Sequence, residues 1–328
     1  MRRSIALLIL ILFAGSTWVR SPRTERQATL SVAFEPIPVS GRPDYAEHLG
    51  KFRFEAAWHL ASQSRHFGSY SALLAMPDKS FLAISDDGHY LRFTLPGAAS
   101  HQLKAGPLLE EVSEHKSDKD IESATRDPRT GKIWLALEGA NSVYLLNPDL
   151  AAVRMKAPAA IAGWGTNAGA EAMTRLTDGR FVLLREAFDG SFETRRHDAV
   201  VFEGDPTVGA RSWHFVFDGP EGFSPTDMAQ LPDGRLLILM RRLVWPMPQR
   251  FAGRLAIGDP RRIKPGQPWK VKEVARIASS MPVDNFEGLA VTPSVDGRLA
   301  VWIISDDNFG VLQKTILWKL SVDPRELP

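Results

Sequence analysis

Four acidic residues recur at similar intervals along the chain, and each is followed within two residues by alanine or glycine: Glu122, Glu171, Asp227 and Glu287. Carboxylates that converge on one place repel one another unless a positive partner neutralises them. Hard divalent cations such as Ca²⁺ take carboxylate oxygens as ligands. The pattern therefore predicts a divalent metal site, with calcium as the candidate ion, formed by Glu122, Glu171, Asp227, Glu287 and Asp306.

Arginines follow two of the apolar runs that come after these acids. Arg185 and Arg241 stand where those runs end, and the planar guanidinium fork suits phosphate or carboxylate groups. Beside the metal site we predict an anion site, with Glu171, Glu287, Arg185 and Arg241 as the catalytic candidates. The alternative is a self-neutralising ring of salt bridges that locks neighbouring units together. Burying ion pairs is a poor way to gain stability, so the ring as a whole favours function.

The acidic residues belong to five copies of one pattern that must position them. In each copy, the first residues lead to a turn that contains Pro, Asp or Gly. An apolar segment follows the turn, and a polar or charged pair follows the apolar segment. The copies begin at Ser71, Glu122, Glu171, Asp227 and Glu287, which lie 51, 49, 56 and 60 residues apart. Such a period, with several short strands in each unit, is typical of a β-propeller.

The fold predicted from the repeat is all-β, a single propeller with five blades. A sixth blade remains an alternative, within residues 190–220 or 241–274. An uninterrupted apolar run suits a strand buried on both faces, as the middle strands of a blade are. The alternating segment Phe52-Arg53-Phe54 precedes the first copy. We expect it to be an outer strand that closes the ring onto the last blade, because closure removes exposed edges.

Bulk composition excludes several classes of function. The chain has 328 residues with 40 basic against 38 acidic side chains and no cysteine. Disulfides, thiolate zinc sites and a cysteine nucleophile are therefore absent. Outside the N-terminus there is no basic stripe, so we predict no nucleic-acid binding. A monomer is the expected state, and the anion site at the arginines predicts a small anionic substrate.

The N-terminus predicts export to the periplasm. Arg2 and Arg3 precede an apolar stretch over residues 5–14, a length that suits a secretory signal and is short for a membrane span. The alternative is that this stretch stays uncleaved and anchors the chain in the inner membrane. This is the one membrane contact that we predict. The expected organisation is a signal or anchor over residues 1–20, a linker or strap over 21–50, and a propeller domain over 51–328.

The closing repeat resembles a known bacterial family. The stretch Asn285-Phe286-Glu287-Gly288-Leu289-Ala290 and the later Ser305-Asp306-Asp307-Asn308-Phe309 are similar to the phytase-like family, described as "esterase-like activity of phytase". The opening copy, with Ile84-Ser85-Asp86-Asp87-Gly88, fits the same family. The resemblance implies hydrolysis of ester or phosphoester bonds, and it supplies no assigned catalytic set.

Three hypotheses for function follow. The first is a metal-dependent hydrolase of phosphoesters or esters, in which bound cations and arginine hold the anion. The second is a non-catalytic propeller of the cell envelope that binds a ligand or protein, because propellers host many unrelated functions. The third is a calcium-dependent lactonase, for which Asn285 and Asn308 are candidate ligands.

Overall fold

The structure of this chain is a computed structural model. It describes residues 30–38, 44–99, 102–109, 119–165, 169–186, 195–246, 249–278 and 280–328. The predicted signal or anchor over residues 1–20 lies outside these ranges. No helix within them is long and apolar enough to cross a membrane.

Five sheets, antiparallel except for one short strand pair in blade 3, form the five blades of a β-propeller. Blade 1 contains β3 (Tyr70–Ala75), β4 (Phe81–Ser85), β5 (His89–Phe93) and β6 (Leu103–Pro107). Blade 2 contains β7 (Ile121–Arg126), β8 (Ile133–Leu137), β9 (Ser142–Leu146) and β10 (Ala152–Lys156). The prediction of an all-β propeller with five blades is confirmed.

Blades 3 and 4 contain the two segments in which a sixth blade was an alternative. Blade 3 contains β11 (Ala170–Arg175), β12 (Phe181–Arg185), β13 (Arg196–Phe202) and β14 (Ser212–Asp218). Blade 4 contains β15 (Ser224–Gln230), β16 (Leu236–Pro246), β17 (Gln249–Gly258) and β19 (Lys272–Ile277). Between the last two, β18 (Pro268–Lys270) pairs in parallel with β14. The described parts of both segments therefore belong to blades 3 and 4, and residues 190–194 and 247–248 lie outside the description.

Blade 5 joins the two ends of the chain. It contains β20 (Asn285–Pro293), β21 (Leu299–Asp306), β22 (Thr315–Val322), β2 (Arg53–Ala61) and β1 (Ala33–Pro36). Strand β2 pairs antiparallel with β22, so the N-terminal strand closes the ring as predicted. Helical structure in the described residues is limited to α1 (Asp44–Leu49) and three 3-10 turns, Pro206–Val208, Pro260–Arg262 and Pro324–Glu326.

The core lies between the blades. Five clusters of buried apolar side chains each join one blade to the next around the ring. Second strands β4, β8 and β21 are buried along their whole length, as their continuous apolar sequences require. The first strands β3, β7, β11, β15 and β20 contact one another around the axis. Their starting residues are thereby held at one end of the propeller.

Candidate functional site

An acidic cavity of about 290 Å³ lies at the end of the propeller where the first strands begin. Seven carboxylates line it: Asp86, Glu122, Glu138, Glu171, Glu186, Glu287 and Asp306. Among the described lining residues, Arg241 is the one cationic side chain. The polar amides of Asn285, Asn308 and Gln249 and the apolar side chains of Leu243 and Phe251 complete the lining.

A β-bulge near the start of every first strand positions the first group of lining residues. The pairing between first and second strands skips one residue in each blade, namely Ser71, Glu122, Glu171, Thr226 and Glu287. A bulge bends the strand and redirects the side chain of the extra residue. Here it turns the three glutamates into the cavity.

The two hydroxyl residues at the bulges make contacts between blades. Ser71 Oγ donates a hydrogen bond to the carbonyl oxygen of Ile121 in blade 2. Thr226 Oγ1 donates to the carbonyl oxygen of Phe286 in blade 5, at 3.3 Å. Both bulge hydroxyls are buried and act on the neighbouring backbone. The five bulges therefore supply three carboxylates to the cavity and two hydrogen bonds between blades.

The second group of lining residues comes from the ends of the second strands. In each blade, the residue before the bulge has a pairing partner on the second strand, and the residue that follows this partner lines the cavity. These residues are Asp86, Glu138, Glu186, Arg241 and Asp306. All five line the cavity. Glu138 is fixed further by the backbone N–H of Gly169, which donates to Glu138 Oε1 at 2.8 Å. Antiparallel pairing thus places both groups at the same mouth.

Arg241 lies among the carboxylates. Its Nη2 is 3.3 Å from Glu186 Oε1, and its Nε is 3.0 Å from Glu287 Oε1. Burial by itself would lower the pKa of Arg241, but Glu186, Glu287, Glu171 and Asp306 together raise it above its ordinary value. The guanidinium is therefore always charged, yet one positive charge cannot balance seven carboxylates.

Asn285 supplies a buried oxygen without a partner. The residue is 3% exposed, and its Nδ2 donates to Glu287 Oε1 at 2.7 Å and to Asp306 Oδ2 at 3.2 Å. No described group donates to its Oδ1. An unpaired buried amide oxygen is costly, and it is also a ligand type that Ca²⁺ accepts.

Two sets of carboxylate oxygens are close enough to share a metal ion. Oxygens of Glu138, Glu171 and Glu186 all lie within 4.8 Å of one another, and so do oxygens of Asp120, Glu122 and Glu138. Within the described ranges, no group donates a hydrogen bond to the carboxylate of Glu122 or Glu171. Oxygen-only donors of this kind match hard cations such as Ca²⁺, Mg²⁺ and Mn²⁺.

Comparison with known proteins identifies the family of this chain. The family model "Phytase-like: Esterase-like activity of phytase" matches residues 65–309. The chain belongs to the phytase-like family. This match confirms the resemblance found in the sequence and covers every residue named above as lining the cavity.

Other comparisons add no functional information about this phytase-like chain. A search of curated proteins gives no match. A chain of a nidogen/laminin complex has 10% identity and a TM-score of 0.46, with 90% of this chain and 99% of that chain covered. The soluble aldose sugar dehydrogenase of Escherichia coli has 13% identity and a TM-score of 0.45, with 78% and 97% covered. Likeness at this level carries no argument about activity.

Five of the seven predicted site residues of the phytase-like domain meet in the cavity. They are Glu122, Glu171, Glu287, Asp306 and Arg241. Asp227 does not join them. The bulge in blade 4 falls on Thr226, so Asp227 is one position out of register with the glutamates. Its carboxylate instead accepts hydrogen bonds from the N–H groups of Met228 and Leu289, at 2.8 and 2.7 Å. It lines a separate cavity of about 540 Å³.

Arg185 is also outside the cavity, which corrects the prediction that it faces the acids. Side chains alternate along a strand, and in blade 3 the position that points inward is Glu186. Arg185 Nη1 contacts Asp198 Oδ2 at 3.0 Å, and its Nη2 donates to the carbonyl oxygen of Trp164 at 2.8 Å.

Asp86, Glu138 and Glu186 were missing from the predicted set. Antiparallel pairing places the ends of the second strands at this mouth. The sequence alone does not show which residue at each strand end points inward. The register of the bulged pairing is the signal that decides it. The alternative ligands Asn285 and Asn308 do line the cavity.

Crowding and burial shift the protonation of the acids. Burial raises the pKa of Glu138 and of Glu287 to about 7. Burial, reinforced by neighbouring carboxylates, raises the pKa of Glu122, Glu171 and Asp306 well above the usual range. Without a cation, protons must therefore neutralise part of the cavity near neutral pH.

These shifts predict how stability depends on pH in the absence of cations. Because the raised pKa values make the folded state bind more protons than the unfolded state between the usual value of 4.5 and about 7, the free energy of unfolding falls as pH rises through this interval. We expect the melting temperature in chelator to be lower at about pH 8 than at about pH 5. Calcium should raise it more at the higher pH.

The matched control for this pH dependence is the Glu138→Gln/Glu287→Gln double variant. It should show a shallower decline in melting temperature, because two of the shifted groups no longer titrate. Surface aspartates such as Asp178 and Asp233 have lowered pKa values and remain ionised over this range, so they do not mask the effect. A chelated wild type that becomes more stable from pH 5 to pH 8 would contradict the account.

Proposed function

We propose that this phytase-like propeller is a divalent-cation-dependent hydrolase of phosphoester or carboxylic ester bonds, with calcium as the candidate ion. One observation carries the proposal: oxygens of Glu138, Glu171 and Glu186 converge within 4.8 Å in a cavity lined by seven carboxylates. The buried, unpartnered Oδ1 of Asn285 in the same wall supports it. The description of the family supports the ester class of substrate.

The residues fit a hard cation better than they fit a salt-bridge ring. Among the described residues that line the cavity, seven carboxylates face one arginine, so ion pairing with that arginine cannot neutralise all of the negative charge. We infer that Glu138, Glu171 and Glu186 hold the cation. A divalent cation bound there supplies a Lewis acid that polarises a phosphoryl or carbonyl oxygen.

Arg241 is suited to orient the anionic part of the substrate. A guanidinium has donors on three nitrogens, and the ion pairs to Glu186 and Glu287 use Nη2 and Nε. We infer that Nη1 donates to a substrate oxygen, and the fixed charge helps to stabilise negative charge that develops during reaction.

Glu287 is suited to accept a proton. Its pKa of about 7 makes a good general base at neutral pH, and the hydrogen bond from Asn285 fixes its position. In the reaction, the oxygen of a water molecule bonds to phosphorus or carbonyl carbon while its proton moves to Glu287. The bond to the alcohol oxygen then breaks, and the leaving alcohol takes the proton from Glu287, which restores the carboxylate.

The direct test is turnover by protein purified without chelator. We expect hydrolysis of phosphate monoesters, acyl esters or both, which disappears in excess chelator and returns when calcium is added. Activity that is unaffected by chelator would overturn the cation requirement. A folded protein that turns over none of the phosphoesters, acyl esters and lactones would instead favour the non-catalytic binding propeller.

A calcium-dependent lactonase is the second candidate, because both Asn285 and Asn308 line the cavity beside the carboxylates. Turnover confined to lactones, which are cyclic esters, would select it. Export to the periplasm, with residues 5–14 as a cleaved signal or a retained anchor, and a monomeric state stay part of the proposal. Cell fractionation of the tagged full chain tests the location.

A further inference from the structure

One wall of the acidic cavity is apolar, and a single extended hairpin builds it. Strands β16 and β17 have 11 and 10 residues, whereas the second strands of blades 1, 2 and 3 have 5 each. The extra length carries the hairpin beyond Arg241. Leu243, Gln249 and Phe251, which line the cavity, lie on this extension.

Strand geometry places the apolar side chain of Leu243 next to the charged side chain of Arg241, further along the hairpin. Arg241 and Leu243 are two residues apart on β16 and therefore on the same face, with their Cα atoms roughly 6.6 Å apart. Leu243 pairs with Phe251 across the hairpin, so the two side chains lie together. Leu243 is 37% exposed although it borders a polar cavity, whereas Phe251 is 7% exposed.

We propose that the substrate is amphipathic, with one phosphoester or carboxylic ester group in the acidic cavity and an apolar alcohol portion packed on Leu243 and Phe251. This inference rests on the proposed function and specifies its substrate class. The apolar group must be attached close to the reacting ester, because about 6.6 Å separates the two positions along the strand. An alkyl or aryl alcohol satisfies this requirement.

The charge of the cavity argues against highly phosphorylated substrates. Arg241 is the one described lining cation, and it already contacts two glutamates. Each further phosphate group would bring more negative charge toward seven carboxylates and would need its own cation. A volume of about 290 Å³ is also at the small end for ligand pockets. A small substrate with a single anionic group matches these limits.

The test compares n-butyl with methyl esters, both of phosphate and of acetate, in calcium. The two alcohols have similar leaving-group strength, so a difference reports binding of the alkyl chain. We expect kcat/KM to be about tenfold higher for the n-butyl ester, mainly through KM, because three more methylene groups leave water. Inositol hexakisphosphate should be a poorer substrate than n-butyl phosphate.

The variant Leu243→Ser should bring the n-butyl to methyl ratio close to one. Leu312→Ser removes another exposed leucine, 53% exposed and outside the cavity lining, and should leave the ratio unchanged. Binding of n-butylphosphonate and methylphosphonate by calorimetry gives a readout independent of turnover. The same preference and the same loss in Leu243→Ser are expected.

The outcomes separate this inference from the function on which it rests. Equal kcat/KM for both esters, or faster hydrolysis of inositol hexakisphosphate, would overturn the amphipathic substrate and leave the hydrolase intact. No turnover of any ester would overturn the hydrolase. In that case calorimetry still tests whether the apolar wall binds an alkyl chain. Equal affinity for the two phosphonates, or no binding of either, would reject this role.

Discussion

Glutamine in place of Glu138 is expected to lower calcium-dependent kcat/KM by about a hundredfold or more. Glu138 is the one residue that belongs to both sets of converging oxygens, and Gly169 fixes its carboxylate by a backbone hydrogen bond. Glutamine keeps the shape and one acceptor oxygen but removes the charge that binds the cation. Loss of a bound Lewis acid costs several kcal/mol of transition-state stabilisation, and about 3 kcal/mol corresponds to a hundredfold.

Calcium titration of the same variant separates binding from catalysis. Glu138→Gln should weaken calcium binding measured by calorimetry while the folded state persists. Glu273→Gln, which changes a carboxylate paired with Arg254 and Arg276 away from the cavity, is the matched control for activity. Asp227→Asn should keep the calcium affinity, because its carboxylate faces backbone N–H groups elsewhere. Full activity in Glu138→Gln, or loss of calcium binding in Asp227→Asn, would contradict the assignment.

Replacement of Arg241 by methionine is expected to destabilise the calcium-free protein by about 3–5 kcal/mol. Removing one partner of a buried ion pair leaves the other charge uncompensated. Here the residues left behind are Glu186 and Glu287, in a cavity that already has an excess of negative charge. Saturating calcium should recover part of this loss, because a bound cation supplies positive charge to the same group of acids.

Urea unfolding with and without calcium measures this effect. Arg185→Met is the comparison, because Arg185 contacts Asp198, whose side chain is 59% exposed, and the backbone of Trp164. Its loss should cost about 1 kcal/mol and should not respond to calcium, as expected for an exposed pair. Equal destabilisation of the two variants would show that Arg241 does not balance the cavity.

The fold was largely predictable because its signals are local and repeated. Five apolar runs with turns between them predict buried second strands, and the alternating segment at Phe52–Phe54 predicts the closing strand. Both predictions depend on which residues are apolar and must be buried, and the sequence shows those residues directly. The extent of the β16–β17 hairpin was not predicted, because the charged pair Arg241-Arg242 interrupts the apolar run, although the turn signals Pro246 and Pro248 lie beyond it.

The site was predictable to within one residue. Strand pairing alternates side chains between faces, so an error of a single position exchanges the inside for the outside. Aligning Asp227 with the glutamates overlooked that the bulge falls on Thr226, and choosing Arg185 overlooked that Glu186 is the residue facing inward. The position of a bulge depends on the packing of the whole ring, and no residue type in these segments predicts it.

The number of divalent cations bound by the purified full chain tests the central claim most directly. Protein prepared without chelator is equilibrated with calcium, analysed for bound metal and melted in calcium and in excess chelator. The account predicts at least one bound cation per chain, a melting temperature raised by calcium, and loss of both effects in Glu138→Gln. Wild-type protein that holds no divalent cation and melts identically in calcium and in chelator would contradict it.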